Sequence, residues 1–125
     1  MTENEISYVI RGAAFKVYNV LGACLLESAY QLALEYELMK AGLKVKVQVP
    51  LPVVYESVRL DGGYRIDILV NELVIIEIKS VELLNDVHHK QLITYLKLSG
   101  LKLGLLINFN CSDITKSIFR KVNGL

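Results

Sequence analysis

The chain is poor in residues that interrupt a fold or cross-link it. Among its 125 residues the only prolines are Pro50 and Pro52, and no linker, low-complexity tract or internal repeat is visible. We therefore expect one domain that spans residues 1–125. The only cysteines, Cys24 and Cys111, form no CxxC unit. This spacing predicts free thiols in the core rather than a disulfide or a metal site.

Neither a large excess of one charge nor a long apolar run is present. The 14 basic and 13 acidic residues give a formal net charge of +1, so a charged partner must be bound by a local patch. No apolar run approaches the ~20 residues of a membrane-spanning helix, and the polar, acidic first residues do not resemble a secretory signal. We expect a cytoplasmic protein without membrane contact. The hydrophobic fraction of 53% is enough for a sizeable core. Hydrophobic residues that the core does not use could cover a homodimer interface.

The period of the hydrophobic pattern changes along the chain and predicts an α/β fold. Pro50 and Pro52 fall inside the alternating segment 44–60, which places that segment at a sheet edge or at a break. The tail 113–122 fits a helix and a strand equally well. The predicted helices are residues 3–21, 25–41 and 86–99, and the predicted strands include residues 64–70, 73–80 and 101–109.

Three charged residues interrupt the strand-forming stretch 65–80. Asp67, Glu77 and Lys79 lie between runs of isoleucine, leucine and valine. Charged residues at alternate positions are common on the solvated face of a two-sided sheet. These three residues therefore lie either on the solvated face of a sheet or in a functional site.

The register of the two strands decides how close the carboxylates lie. Alternation puts Ile66 and Ile68 on the core face and Asp67 on the other face. A three-residue connection pairs Ile68 with Ile76 and sets Asp67 opposite Glu77, whereas a two-residue turn would aim one apolar face away from the core. If the two strands pair as a hairpin, we therefore expect the three-residue connection, or a bulge that gives the same register.

Two carboxylates that face each other on a sheet destabilise it unless something lies between them. Lys79 is one candidate for that role. A divalent cation such as Mg²⁺ is the other, because hard cations favour carboxylate, carbonyl and water oxygens. The ligands would then be Asp67, Glu77 and the backbone carbonyl of Ile78.

Glu27 is a further candidate, on the second predicted helix. Its neighbours Leu26, Tyr30 and Leu34 form the apolar stripe of that helix, so we expect Glu27 on the core-rich side, where a carboxylate usually has a partner. The alternative is a first-turn glutamate that is favoured by the helix dipole.

The third predicted helix offers Gln91 and Tyr95, which are four residues apart and project together. The alternative is a solvated glutamine beside a core aromatic. His88 and His89 point to different sides of the helix and so do not form a bidentate metal pair. We expect both in exposed first-turn positions, with a supporting role for His88 near Gln91 as the alternative.

These residues carry a family resemblance. Asp67, followed by Glu77-Ile78-Lys79, resembles the PD-(D/E)XK motif of the restriction-endonuclease-like nucleases, and Gln91 with Tyr95 resembles the QxxxY motif of their exonuclease branch. Nearly the whole chain resembles the small bacterial and archaeal GxxExxY proteins of that superfamily. Their motif falls on Gly22 or Cys24, then Glu27 and Tyr30, and members commonly have glycine where this chain has Cys24.

The resemblance implies a restriction-endonuclease-like core, with a mixed sheet of about four to five strands flanked by α-helices. It implies a site that uses Mg²⁺ or Mn²⁺. The implied catalytic residues are Glu27, Asp67, Glu77, Lys79 and Gln91; the implied metal ligands are Asp67, Glu77, Glu27 and the carbonyl of Ile78; the implied supporting residues are Tyr30, Tyr95 and His88.

Three functions remain open from the sequence. The first is a metal-dependent nuclease that hydrolyses phosphodiester bonds in DNA or RNA, without sequence specificity because no recognition module is present. The second is a nucleic-acid-binding or regulatory module that cuts slowly or not at all. The third is an assembly subunit that docks a partner or a second copy. The cations expected to contact phosphates are Arg59, Arg65, Lys90, Lys97 and Lys102.

Overall fold

The computed structural model describes residues 1–125 and is a mixed α/β structure. None of its helices is long and apolar enough to cross a membrane. The helices are α1 (Glu3–Leu21), α2 (Glu27–Lys40) and α3 (Asp86–Ser99). The strands are β1 (Val45–Pro50), β2 (Val53–Tyr55), β3 (Val58–Leu60), β4 (Arg65–Val70), β5 (Val74–Lys79), β6 (Leu103–Asn108) and β7 (Ile118–Val122).

Five strands form one sheet in the order β1-β4-β5-β6-β7. Strands β5 and β6 are parallel and are joined by α3, whereas the other neighbours are antiparallel. The mixed, helix-flanked sheet confirms the predicted fold class. The ambiguous tail is a short 3₁₀ helix, Ile114–Lys116, followed by β7.

Strands β2 and β3 form a separate two-stranded hairpin outside the main sheet. The chain leaves β1 at Pro50, and proline has no N–H to donate to a ladder. The hairpin begins at Val53, beyond Pro52. The predicted break in the alternating segment is therefore confirmed.

Both faces of the main sheet are covered by helices. One core cluster packs α1 and α2 against residues such as Ile68 and Ile76, and a second packs α3 against Leu69 and Ile75. The interpretation of the polar residues as part of a solvated face is therefore wrong for most of that face, because Leu69, Ile75 and Glu77 are buried.

The register of β4 and β5 is the one that the hydrophobic pattern predicts. Ile68 pairs with Ile76 and Val70 with Val74, which leaves a three-residue connection. Its first residue, Asn71, has a φ of 52°, in the left-handed region that asparagine tolerates better than most residues.

The simple alternation along β1 and β4 fails at one step. Gln48 has a φ of 50°, and the ladder of β1 with β4 has no pair between Val47–Ile68 and Val49–Ile66. Ile68 packs in the α1/α2 cluster, whereas Ile66 packs in the α3 cluster. The expectation that Ile66 and Ile68 share one face is therefore wrong, because the backbone turns over between them.

The two cysteines are free thiols, as predicted. Their expected core location is wrong: Cys24 is exposed in the loop before α2, and Cys111 is half-buried.

Candidate acidic site where two strands separate

Asp67 and Glu77 are joined across the two strands by a reciprocal pair of hydrogen bonds. The N–H of Asp67 donates to Glu77 Oε2 at 2.8 Å, and the N–H of Ile78 donates to Asp67 Oδ2 at 2.8 Å. The backbone ladder of β4 and β5 ends one residue earlier, at Ile68 and Ile76. Carboxylates thus replace backbone carbonyls as acceptors, and the strands separate at this point.

Glu77 lies in an environment that disfavours its charge. Glu77 is only 4% exposed to solvent. Burial, and then the charge of Asp67, raise the pKa of Glu77 to about 8, against the lowering effects of the N–H bond from Asp67 and of Lys79. The charge of Glu27 adds a smaller upward contribution to the pKa.

Lys79 does not lie between the two carboxylates as an ion-pair partner. The ion pairs of the protein lie elsewhere, and none involves Lys79, Asp67 or Glu77. The alternative in which Lys79 bridges the pair is therefore wrong, and the half-buried Lys79 acts on Glu77 only as a nearby charge.

A polar cavity of about 290 Å³ opens beside Asp67, between the start of α2 and the sheet. It brings Glu27 and Asp67 to the same space, together with the strand residue Ile78. Only one of its lining residues is hydrophobic. The lining residues are Glu27, Ser28, Gln31, Gln48, Asp67 and Ile78.

Glu27 reaches this cavity from the first position of α2. The predicted start of α2 at residue 25 is wrong, because the helix begins at Glu27, and Leu26 is 79% exposed. Glu27 is itself exposed, so its expected place on the core-rich side of the helix is also wrong. The alternative interpretation is correct: Glu27 lies in the first turn of α2, where the helix dipole favours a negative charge.

Two glutamines complete the cavity, and sequence reasoning missed both. Gln48 Nε2 lies 2.6 Å from Gln31 Oε1 and 3.4 Å from Asp67 Oδ1, so one amide links α2 to the carboxylate. The alternation of polar and apolar residues around Gln48 is typical of an ordinary strand. No local signal marks a left-handed residue there, because the contact joins segments that are distant in sequence.

The donor set fits a divalent cation. Carboxylate oxygens from Asp67 and Glu27 share a polar cavity, which Glu77 does not line. Burial and the charge of Asp67 raise the pKa of Glu77, and a nearby cation would oppose this effect. The side chains are not gathered into a cluster of three or more histidine, cysteine or acidic ligands. Asp67 and Glu77 accept backbone N–H bonds instead.

Tyr30 holds the loop that delivers Glu27. Its buried ring stacks on Phe109 with the ring centroids 4.4 Å apart. Its hydroxyl donates to the carbonyl of Gly22 at 2.7 Å and accepts from the N–H of Leu25 at 3.2 Å. Tyr30 therefore supports the site through the backbone and does not line the cavity.

Gln91, Tyr95 and His88 lie on α3. Gln91 Nε2 donates to the hydroxyl of Tyr95 at 3.2 Å, and neither residue lines the cavity that holds Glu27. Burial, followed by the charges of Glu77 and Asp67, raises the pKa of Tyr95. The charges of the two carboxylates thus act on Tyr95, whose hydroxyl is hydrogen-bonded to Gln91.

The two histidines have structural surroundings. His88 Nδ1 accepts from the N–H of Asn85 at 3.1 Å and so caps the helix that carries Gln91. His89 is half-buried against Phe119 with ring centroids 5.0 Å apart. The expected exposed positions of both histidines are wrong, because both are partly covered.

The loop residue Cys24 has a φ of 72°, in the left-handed region where a Cβ is strained. Cys24→Gly should raise the free energy of unfolding by about 0.5 kcal/mol, since relief of strain exceeds the extra entropy of an unfolded glycine. Chemical denaturation would measure this. Cys24→Ala removes the same thiol but keeps the Cβ, so a gain of equal size in Cys24→Ala would contradict the explanation.

The pKa of Glu77 makes stability depend on pH in the metal-free protein. Folding favours the protonated form of Glu77. The contribution of Glu77 to the free energy of unfolding is therefore fully present below pH 4.5 and is lost as pH rises towards 8. The free energy of unfolding should fall by about 1.4 kcal/mol per pH unit in this window. Denaturation in a chelator at several pH values would measure the slope.

The matched variants for this pH experiment are Glu77→Gln and Glu82→Gln. Glu77→Gln keeps an acceptor for the N–H of Asp67 and should remove the slope, whereas the exposed Glu82→Gln should retain it. An unchanged slope in Glu77→Gln would disprove this assignment.

Comparison with known protein families identifies the superfamily of the chain. The family model of the PD-(D/E)XK nuclease superfamily matches residues 4–121. No curated protein and no solved structure matches the chain at a significant level. The family match extends over nearly all of the chain and includes the strands that carry Asp67 and Glu77-x-Lys79, so the chain belongs to the PD-(D/E)XK nuclease superfamily.

Proposed function

We propose that the chain is a divalent-metal-dependent nuclease that hydrolyses phosphodiester bonds in DNA or RNA, with residues 1–125 acting as one domain. The observation that carries this proposal is the coupled pair Asp67 and Glu77 at the point where β4 and β5 separate. Membership of the superfamily supports nuclease-type chemistry. The left-handed Cys24, with Glu27 and Tyr30 after it, fits the GxxExxY pattern, and we assign the chain to that group.

The proposed metal ligands are Asp67, Glu77, Glu27 and the backbone carbonyl of Ile78. Mg²⁺ or Mn²⁺ at this position would lower the pKa of water and neutralise charge on the scissile phosphate. Glu77 contributes a buried carboxylate whose charge the protein alone does not compensate. Gln48 holds Asp67 on the cavity side through its amide.

Lys79 is the proposed electrostatic catalyst. It follows Glu77 by two residues on β5 and takes part in no ion pair, so its ammonium remains available to stabilise negative charge that develops on a phosphate. Glu27 projects from the exposed first turn of α2, where it orients water in the cavity.

Gln91 and Tyr95 complete the site from α3. The amide of Gln91 uses one N–H on the hydroxyl of Tyr95 and keeps a second N–H for a phosphate oxygen. The hydroxyl of Tyr95 is protonated at neutral pH, and the raised pKa of Tyr95 widens the pH range in which it remains a hydrogen-bond donor. His88 supports this pair by capping α3.

The substrate would be held by scattered cations rather than by a recognition element. Each of the cations named from the sequence is exposed, and none is in an ion pair. Few phosphate contacts give modest, salt-sensitive affinity without sequence specificity. The cations are Arg59, Arg65, Lys90, Lys97 and Lys102.

One observation favours a second function, a nucleic-acid-binding module that cuts slowly or not at all. Asp67 and Glu77 are both occupied by backbone N–H groups, and no cluster of three potential ligands is formed. A protein in which these bonds persist would bind nucleic acid without supplying the charge stabilisation that hydrolysis needs.

We expect the wild type to bind Mn²⁺ in calorimetric titration and to cleave labelled DNA or RNA in Mg²⁺. Asp67→Ala/Glu77→Ala should lose both properties, because it removes two proposed ligands. Lys79→Ala should keep metal binding and lose about 100-fold or more in cleavage rate, the scale typical of a removed electrostatic group. Lys116→Ala removes another lysine, an exposed one outside the proposed site, and should cleave like the wild type.

Each outcome of this experiment has a defined meaning. Metal binding that depends on Asp67 and Glu77 without cleavage of any substrate would favour the binding module. Absence of both metal binding and cleavage in the wild type would overturn the nuclease assignment.

The outer face of α2 supports a further proposal, that two copies of the chain form a homodimer. Leu32, Tyr36 and Met39 are largely exposed at helical spacing on the face opposite the core. Sedimentation equilibrium should give a dimer mass for the wild type and a monomer mass for Tyr36→Glu. Tyr8→Glu alters an exposed tyrosine on α1 and should remain dimeric; a monomeric wild type at high concentration would refute the dimer.

A further inference from the structure

A second concave surface lies on the α3 side of the protein. It is a groove of about 470 Å³ between α3 and the start of the β2–β3 hairpin, within the size range of small-ligand sites. Most of its lining is apolar, one lining residue is a lysine, and none is a carboxylate. The lining residues are Val53, Tyr64, Val87, Lys90, Gln91, Thr94, Tyr95 and Leu98.

The groove shares two residues with the set assigned to the candidate site, although it has no lining residue in common with the acidic cavity. Gln91 and Tyr95 line the groove and belong to the set of residues assigned to the site. The hydroxyl of Tyr95 receives the hydrogen bond from Gln91, and the charges of Glu77 and Asp67 act on Tyr95. A ligand in the groove would therefore contact Tyr95, on which the charges of both carboxylates act.

Tyr64 presents an aromatic surface in this groove. The predicted strand starts at residue 64, but β4 begins at Arg65, so Tyr64 lies in the connection and is 47% exposed. Its ring packs edge to face on Tyr95 with centroids 6.3 Å apart. Its carbonyl accepts from the N–H of Leu51 at 2.9 Å. A Cβ built on Gly62 would lie 3.0 Å from the Tyr64 ring, so the ring also rests against the glycine backbone.

The chemistry of the lining selects the occupant. An exposed ring offers a stacking partner to a flat aromatic group, and stacking on aromatics is the usual way in which proteins hold unpaired bases. Lys90 attracts a phosphate, and no carboxylate in the lining repels it. A paired base in a duplex is stacked between its neighbours and cannot enter the groove unless it is flipped out.

We propose that this groove receives an unpaired base of single-stranded nucleic acid, stacked on Tyr64, with Lys90 on the neighbouring phosphate. The inference rests on the proposed function, since it names the substrate class of that site. The same chemistry applies to DNA and RNA, and separate DNA and RNA probes distinguish them.

The absence of tryptophan from the chain gives a direct test. Tyr64→Trp introduces one indole into the groove, and Tyr55→Trp introduces one at an exposed tyrosine of the β2–β3 hairpin that does not line the groove. Oligothymidine and oligouridine are added in EDTA, so that no strand is cut. We expect quenching of the indole at position 64 by a single strand and little quenching at position 55. Equal quenching at both positions, or none at position 64, would overturn the proposal.

A binding measurement without an introduced tryptophan complements the quenching experiment. Fluorescence anisotropy in EDTA should show that Tyr64→Ala weakens single-strand binding by about 5-fold or more, the scale of one lost stack. Tyr64→Phe keeps the ring and should bind like the wild type, as should Tyr55→Ala. Duplex binding should be unchanged in all variants. Equal weakening of duplex and single-strand binding by Tyr64→Ala would contradict a base-stacking role.

The two proposals fail in different ways. Cleavage that shows no preference for single strands and no dependence on Tyr64 would leave the nuclease standing and remove the groove inference. Single-strand binding that depends on Tyr64, without cleavage in Mg²⁺ or Mn²⁺, would leave the groove and remove the nuclease. Tyr64→Phe and the two tryptophan variants retain a ring at each position, which keeps the test valid if Tyr64→Ala unfolds.

Discussion

The reciprocal bonds between Asp67 and Glu77 and the facing backbone amides are the interaction on which the candidate site depends. A sheet normally satisfies its N–H groups with carbonyls, which holds two strands at a fixed spacing. Here two carboxylates accept those N–H groups, and the ladder ends. The separation of β4 from β5 creates room beside Asp67, while Glu77 remains buried. The cavity thus lies where the ladder ends, whereas the raised pKa of Glu77 comes from its burial and from the charge of Asp67.

The neighbouring strand adapts to this separation. Gln48 takes a left-handed conformation at the same level, and the amide of its side chain reaches both Asp67 and Gln31. Left-handed backbone at a residue other than glycine costs about 1–3 kcal/mol and persists only where surrounding packing enforces it. That packing is available here, because Val47 and Val49 flank Gln48 and contact the clusters on opposite faces of the sheet.

The sequence predicts the parts of this structure that depend on repeated local patterns. Alternation and the three-residue connection give the β4–β5 register, since a slip would expose an apolar face. The same rule misplaces Ile66, because it assumes a regular backbone, and the turn-over at Gln48 arises from contacts with distant segments. Glu27 is misplaced for a related reason: its position depends on where α2 starts, and the Tyr30 hydroxyl fixes the loop before that start.

The distribution of cations explains why the acidic pair remains available for a metal. Lys44 and Lys46, at the start of β1, both pair with Glu72 at the far end of the β4–β5 unit, and no lysine or arginine forms an ion pair with Asp67 or Glu77. Gln48 supplies a neutral amide at a position where a lysine would have neutralised the site. A protein cation there would remove the uncompensated charge that favours Mg²⁺ or Mn²⁺. In the proposed metal site, the neutral amide of Gln48 therefore positions Asp67 without competing with the cation for its charge.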